Sequence, residues 1–122
     1  MPFVRKNEEV KQIERGPKDM GGYKLEGSSL LRLMMTGNRI QLKELHLKKG
    51  FFHPKHKHEG EESIGYVIKG HLEMCVGDQE YVLRNGDSWH HPDGVFHWTR
   101  AIEDTYAVEV HSPPRPLKHY YE

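Results

Sequence analysis

Turn signals recur along this chain at intervals of roughly 8–12 residues, and that spacing constrains the fold more than any other feature. Thr36-Gly37-Asn38, Gly50, Gly70, Gly77-Asp78, Asn85-Gly86, Pro92-Asp93-Gly94 and Glu103-Asp104 break the sequence into short pieces. Glycine and asparagine relieve the steric cost of left-handed turns, and proline fixes φ, so these are stops with a mechanism. The pieces between them read as strands. Residues 30–35 are apolar apart from Arg32; Leu72, Met74 and Val76 alternate with Glu73 and Cys75; residues 64–69, 81–83, 89–91, 95–102 and 106–110 complete the series. Nothing between residues 30 and 111 is long and amphipathic enough to be a crossover helix, so the pairing is expected to be antiparallel. The fold class is all-β, a sandwich or closed barrel.

The 122 residues, 35% hydrophobic and 30% charged, make one domain, with the barrel over residues 30–116. Residues 1–29, punctuated by Gly16-Pro17 and Gly21-Gly22, read as an arm with short edge strands and a weak helical turn at residues 7–13. Residues 117–122, with Tyr120-Tyr121, read as a tail. In residues 40–47 the apolar phase shifts by one between Leu42 and Leu45, which predicts a bulge or a strand buried on both sides. Eighteen basic residues balance eighteen acidic ones, which gives no electrostatic case for nucleic acid. No apolar run approaches the roughly 20 residues of a membrane span. The single cysteine, Cys75, precludes an internal disulfide framework, and with no visible secretory signal the expected location is the cytoplasm.

Histidine is the outlier, with ten residues. His56 and His58 are separated by one residue, so on a strand they share a face about 6.6 Å apart and can converge on one ion. His97 follows the Pro92-Asp93-Gly94 turn, placed to aim a third imidazole inward. Gly50-x5-His56-x-His58 closing at Gly70, then Gly86-x5-Pro92-x-Gly94-x2-His97, closely resembles the two signature motifs of the cupin superfamily. The resemblance implies a small antiparallel jelly-roll β-barrel with one divalent transition metal (iron, manganese, nickel or zinc) held in its lumen by His56, His58 and His97. The family pattern adds a Glu or Gln before the closing glycine. Counting back from Gly70 reaches Ser63, while the shorter spacing from His58 reaches Glu62. A local bulge would turn Glu62 inward, and a carboxylate is the better ligand, so Glu62 is the expected fourth ligand, with a three-His site completed by water as the rival. Ala101 stands where the longer motif ends in Asn. His46, His53, His71, His90 and His119 read as surface or incidental residues, and Cys75 as packing.

Ala107, Glu109 and His111 share one face of the last strand, and Tyr106, Val108 and Val110 the other. Glu and His in register are either the solvent side of an edge strand or a pocket wall carrying a general acid/base pair. His91 precedes Pro92 at a position that is generally inward in cupins. The segment from Glu109 to Arg115 resembles the end of small cupins that open unsaturated uronate rings from pectin and alginate breakdown. Those carry an acid, an aromatic and an arginine at the positions of Glu109, His111 and Arg115. The candidate catalytic residues are therefore Glu109, His111, His91 and Arg115, with Arg115 clamping a substrate carboxylate and Gly65 leaving room over the metal.

Three functions compete. One is a metal-dependent isomerase or lyase on a small anionic metabolite such as a sugar acid, with a three-His iron dioxygenase as its variant. The second is a binding or sensing barrel without turnover, and the third a structural module with an idle site. Convergence of His91, Glu109 and Arg115 on the metal favours catalysis. A small-molecule substrate and a homodimer, with neighbours covering open sheet edges, complete the expected partners.

Overall fold

The structure, a computed structural model, describes residues 3–20 and 22–116. Gly21, His119, Tyr120-Tyr121 and the rest of the 117–122 tail lie outside the described residues. Among those described there is no α-helix, and no helix long and apolar enough to cross a membrane. Twelve strands follow one short 3-10 turn at Asn7–Glu9. They are β1 (Gln12–Arg15), β2 (Lys18–Asp19), β3 (Lys24–Leu25), β4 (Ser29–Thr36), β5 (Gln41–Leu47), β6 (Phe52–His56), β7 (Glu62–Lys69), β8 (His71–Val76), β9 (Gln79–Arg84), β10 (Ser88–His91), β11 (His97–Ala101) and β12 (Thr105–Ser112).

Every pairing is antiparallel, and the order is that of a rolled-up hairpin: β5 pairs β12, β6 pairs β11, β7 pairs β10 and β8 pairs β9. Rolling this nested hairpin gives a six-stranded sheet, β1-β4-β5-β12-β7-β10, against a four-stranded one, β6-β11-β8-β9. That is the jelly-roll barrel implied by the family resemblance, within the all-β class read from the turn spacing. The stretch before residue 30 is joined to it, because β1 extends the large sheet by pairing with β4. Leu25, Leu47, Phe51, Val67, Leu72 and Met74 bury their side chains between the sheets and form the core with Leu83, Trp89, Ala101 and Ala107.

The phase conflict around Leu42 resolves in an instructive way. The bulge is real but sits on β4, where Leu33 faces Lys43 and Met35 faces Leu42, leaving Met34 as the extra residue. Strand β5 keeps a single phase: Gln41, Lys43 and Leu47 are the buried positions. Its sequence looks shifted because the inward positions at one end are polar. Opposed residues in an antiparallel pair share a face, so the register writes two polar rungs across the inner wall. One runs Lys43–Glu109–Gly65–Trp89, the other Gln41–His111–Ser63–His91. Below them Leu45, Ala107 and Val67 form an apolar rung.

Gly65 does not leave its room to the metal. A Cβ there would fall 2.0 Å from Trp89 Cζ2, so the vacancy is filled by the Trp89 indole, which floors the cavity.

Candidate metal centre

Three imidazoles converge at one end of the barrel. His56 closes β6, His97 opens β11 directly opposite it in register, and His58 follows in the loop. Because β6 ends at His56, the His58 ring reaches its neighbour from outside the strand, and strand parity alone does not explain the pair. One nitrogen from each of the three rings lies within 4.8 Å of the others.

The other nitrogen of each ring faces an oxygen. His56 Nδ1 is 2.7 Å from the Pro54 carbonyl and His97 Nδ1 is 3.4 Å from the Val95 carbonyl. His58 Nδ1 faces Glu61 Oε1 at 3.6 Å, beyond hydrogen-bond length but turned to the carboxylate. A neutral imidazole has one donor and one acceptor nitrogen. Acceptors at Nδ1 select the Nδ1–H tautomer and leave the Nε2 lone pairs for a cation, the arrangement usual for metal-ligating histidine. Burial first, then the neighbouring positive groups, lowers the pKa of His56 and of His58 to about 4. Burial lowers that of His97 too. The donor set is thus neutral at physiological pH and fits a borderline divalent transition metal.

Two further imidazoles back the ligands. The His53 ring stacks on His56 at 3.7 Å and 6°, and the His91 ring on His97 at 3.7 Å and 8°. Burial drives their pKa values to about 2 and about 3 respectively, so both stacks are neutral on neutral. His53 is therefore no incidental surface residue: it lines the cavity, and its buried Nε2 has no hydrogen-bond partner among the described residues. His46 also departs from a purely surface role, stacking on Tyr106 at 4.0 Å.

The rings look into a cavity of about 120 Å³, several times the ~10–15 Å³ that one water requires. His91, Glu109 and Arg115 line it together with the three histidines. Glu109 accepts a 3.0 Å ion pair from Lys43 and a 3.4 Å hydrogen bond from Ser63 Oγ, which lies 3.5 Å from His91 Nδ1. Burial pushes the Glu109 carboxyl up, but the Lys43 charge beside it and the Lys43 hydrogen bond outweigh it and hold the pKa at about 2.

The remaining sequence candidates fall elsewhere. Glu62 is not brought to the cluster: its side chain is 60% exposed and its Oε2 lies 2.9 Å from His90 Nε2 on the outer face. The reason is the register, which keeps Ser63 inward opposite His91 and His111, so Glu62 points out. His111 is buried and tied to the Pro113 carbonyl at 3.2 Å, and is not part of the cavity lining. Arg115 reaches the cavity, but its fork is turned to Glu61: Nε donates to Oε1 at 3.0 Å, and Nη2 donates to the same oxygen. Lys43, Glu61, His53 and Arg15, all at or beside the site, were not singled out by sequence reasoning. The polar interruption of the apolar phase was the available signal for Lys43.

The fold and the triad define a class, and comparison with known proteins agrees. The chain belongs to the cupin family, since the family model described as Cupin domain matches residues 43–112. The pectin degradation protein KdgF of Dickeya dadantii (strain 3937) is 24% identical over 91 residues, 73% of this chain and 83% of that one. The structure of KdgF from Halomonas sp. superimposes with a TM-score of 0.73 at 21% identity, covering 94% of this chain and 96% of that one. An RmlC-like cupin from Shewanella frigidimarina NCIMB 400 gives a TM-score of 0.74 at 20% identity, with 94% of each chain covered.

The depressed imidazole pKa values carry a stability consequence. The unfolded chain takes up protons as pH falls through about 6.5, while the folded His56 and His58 resist until about 4 and His91 until about 3. The unfolded state then binds more protons, so stability falls with pH across that window. Denaturant unfolding of the metal-free protein is expected to show a plateau above pH 7 and a steady loss from pH 6.5 downward. A midpoint unchanged between pH 7.5 and pH 5 would contradict the burial of neutral rings.

Proposed function

We propose that this chain is a metal-dependent enzyme acting on a small anionic, oxygenated metabolite such as a sugar acid, by isomerase or lyase chemistry. The observation that carries this reading is the shared cavity: the three-His cluster faces Glu109 and His91, which can move protons, across one small space. That juxtaposition supports turnover over a sensing barrel or an idle module. The relation to a protein named for pectin degradation supports a sugar-acid substrate.

His56, His58 and His97 would hold the metal, with water completing the shell, Glu62 outside the set and Ser63 on the wall beside His91. When bound, such an ion polarises a carbonyl or carboxylate oxygen as a Lewis acid. The chain's own residues supply the rest. Arg15, Lys43 and Arg115 outnumber the carboxylates Glu109 and Glu61 that pair with Lys43 and Arg115, and this one-charge excess makes the cavity attractive to an anion. Glu109 enters as the ionised base. A substrate carboxylate that draws the Lys43 ammonium away weakens the interaction that holds Glu109's pKa low, and burial then raises its basicity towards the range useful for proton transfer. Ser63 links Glu109 to His91, giving the proton a second station. His111, in the inner rung with Gln41 and Ser63, is tied to the Pro113 carbonyl, and Trp89 closes the floor.

A second reading is a three-His iron dioxygenase, for which His56, His58 and His97 would supply the ligands. Consumption of dioxygen with substrate distinguishes it from isomerisation, which leaves substrate composition unchanged. A homodimer belongs to the same proposal. Ile64, Tyr66, Ile68 and Tyr106 are each about half exposed on the outer face of the large sheet, where a polar side is usual. Light scattering at twice the chain mass is the expected result; a monomer at high concentration would refute it. A cytoplasmic site of action is proposed from the lone thiol of Cys75, half-buried and without a disulfide.

The activity test is a panel of unsaturated uronates and related sugar acids offered to the metal-loaded protein, following loss of the conjugated double bond's ultraviolet absorbance. Glu109→Gln is expected to lower kcat by about 10²–10⁴-fold with metal content unchanged. An unaltered rate removes Glu109 from the mechanism.

A further inference from the structure

His58 is the member of the triad that the barrel secures least. His56 and His97 each turn Nδ1 to a backbone carbonyl two residues upstream, so the adjoining main chain itself sets those rings. His58 lies past the end of β6, its side chain is 31% exposed, and Nδ1 faces the side chain of Glu61 instead. A free carboxylate in a loop would be a poor guide for a ring. This one is gripped by Arg115, 54 residues later, through Nε and Nη2. Arg115 is in turn pinned at its backbone: its N–H donates to Gln41 Oε1 at 3.2 Å, and its carbonyl accepts from Gln41 Nε2 at 3.3 Å. Gln41 is 1% exposed and built into β5. A continuous relay therefore runs from the barrel wall through Gln41, Arg115 and Glu61 to His58.

Taking as its basis the reading that the three histidines hold a metal, we infer that Glu61 and Arg115 are positioning residues of the centre, and that docking of the segment after β12 sets the affinity for the ion. Glu61 orients the His58 ring and takes up the Nδ1–H charge that grows when Nε2 binds a cation; Arg115 fixes Glu61. Carboxylates behind metal-binding imidazoles typically contribute 10–100-fold in affinity. The planar fork matters, because Nε and Nη2 together grip Glu61 Oε1 whereas lysine offers only a point charge. Arg115 thus acts on the metal through another residue, and its fork is committed to a protein carboxylate before any substrate arrives.

The test is competition of the metal-free, full-length protein with a chromophoric chelator for Zn²⁺, together with the visible spectrum of the Co²⁺ form. Glu61→Gln, close to isosteric, and Arg115→Ala are each expected to weaken binding by about 10–100-fold and to alter the Co²⁺ bands. The double variant should be no weaker than either single one, because the two act in series. Arg115→Lys should recover only part of the loss, and Glu62→Gln should match the parent. Asp93→Ala, which removes the 2.8 Å hydrogen bond from the Gly60 N–H and so loosens the same loop, separates ring orientation from loop holding. Parent-like affinity in Glu61→Gln overturns the inference, as does an equal loss in Asp93→Ala. A parent protein that takes up no Zn²⁺ or Co²⁺ overturns the three-His reading itself, and this inference with it.

Discussion

Five imidazoles share the interior end of this barrel, and they can do so only while uncharged. His53, His56, His58, His91 and His97 lie so close that two pairs stack at 3.7 Å, and burial drives the pKa of each below the ordinary histidine range. A proton on any of them would meet low dielectric and its neighbours' repulsion. Neutrality in turn requires that each ring choose a donor nitrogen. Oxygens at Nδ1 make that choice for His56 and His97, and Glu61 faces the same nitrogen of His58. What remains is a set of lone pairs aimed at a common point, the chemical definition of a site for a soft-to-borderline cation.

The opposite wall obeys a different constraint. Sheet register carries Lys43, Glu109, Ser63 and His91 to the inner face in adjacent rungs. Burying an ion pair costs desolvation that the Lys43–Glu109 attraction must offset, and the pair is poorly placed to stabilise the fold for its own sake. Under the proposed function its location on the cavity wall would give it another use, because a guest anion would compete for Lys43 and change the basicity of Glu109. The apolar rung of Leu45, Ala107 and Val67 beneath, with the Trp89 indole, keeps bulk water from screening these charges.

Much of this was legible in the sequence. Turn spacing pointed to an antiparallel all-β sandwich or barrel, because glycine, asparagine and proline carry their backbone preferences with them, and the motif resemblance implied the barrel. The Gly50-to-Gly70 and Gly86-to-His97 motifs carried the resemblance that implied a shared site for His56, His58 and His97, and the structure brings those three rings together. The fourth-ligand assignment to Glu62 failed because it needed a bulge in β7, whereas the extra residue lies in β4 at Met34. Glu61 and Arg115 found each other through a loop and a segment outside any strand, and periodicity carries no information there. Lys43 was hidden by the assumption that an inward position is apolar. His53 was hidden because its role is a ring-on-ring contact with its own strand neighbour, which leaves no motif. In each of these residues the tertiary arrangement decided what local pattern could not.

Convergence of three neutral rings on one ion through Nε2 is open to direct spectroscopic examination. X-ray absorption fine structure on the zinc-loaded protein reads the number and type of ligands without a crystal. Three imidazole nitrogens at roughly 2.0–2.1 Å, with oxygen completing the shell, is the result that follows from the Nδ1 contacts. A shell with one imidazole or none, or one dominated by carboxylate oxygen, would contradict it.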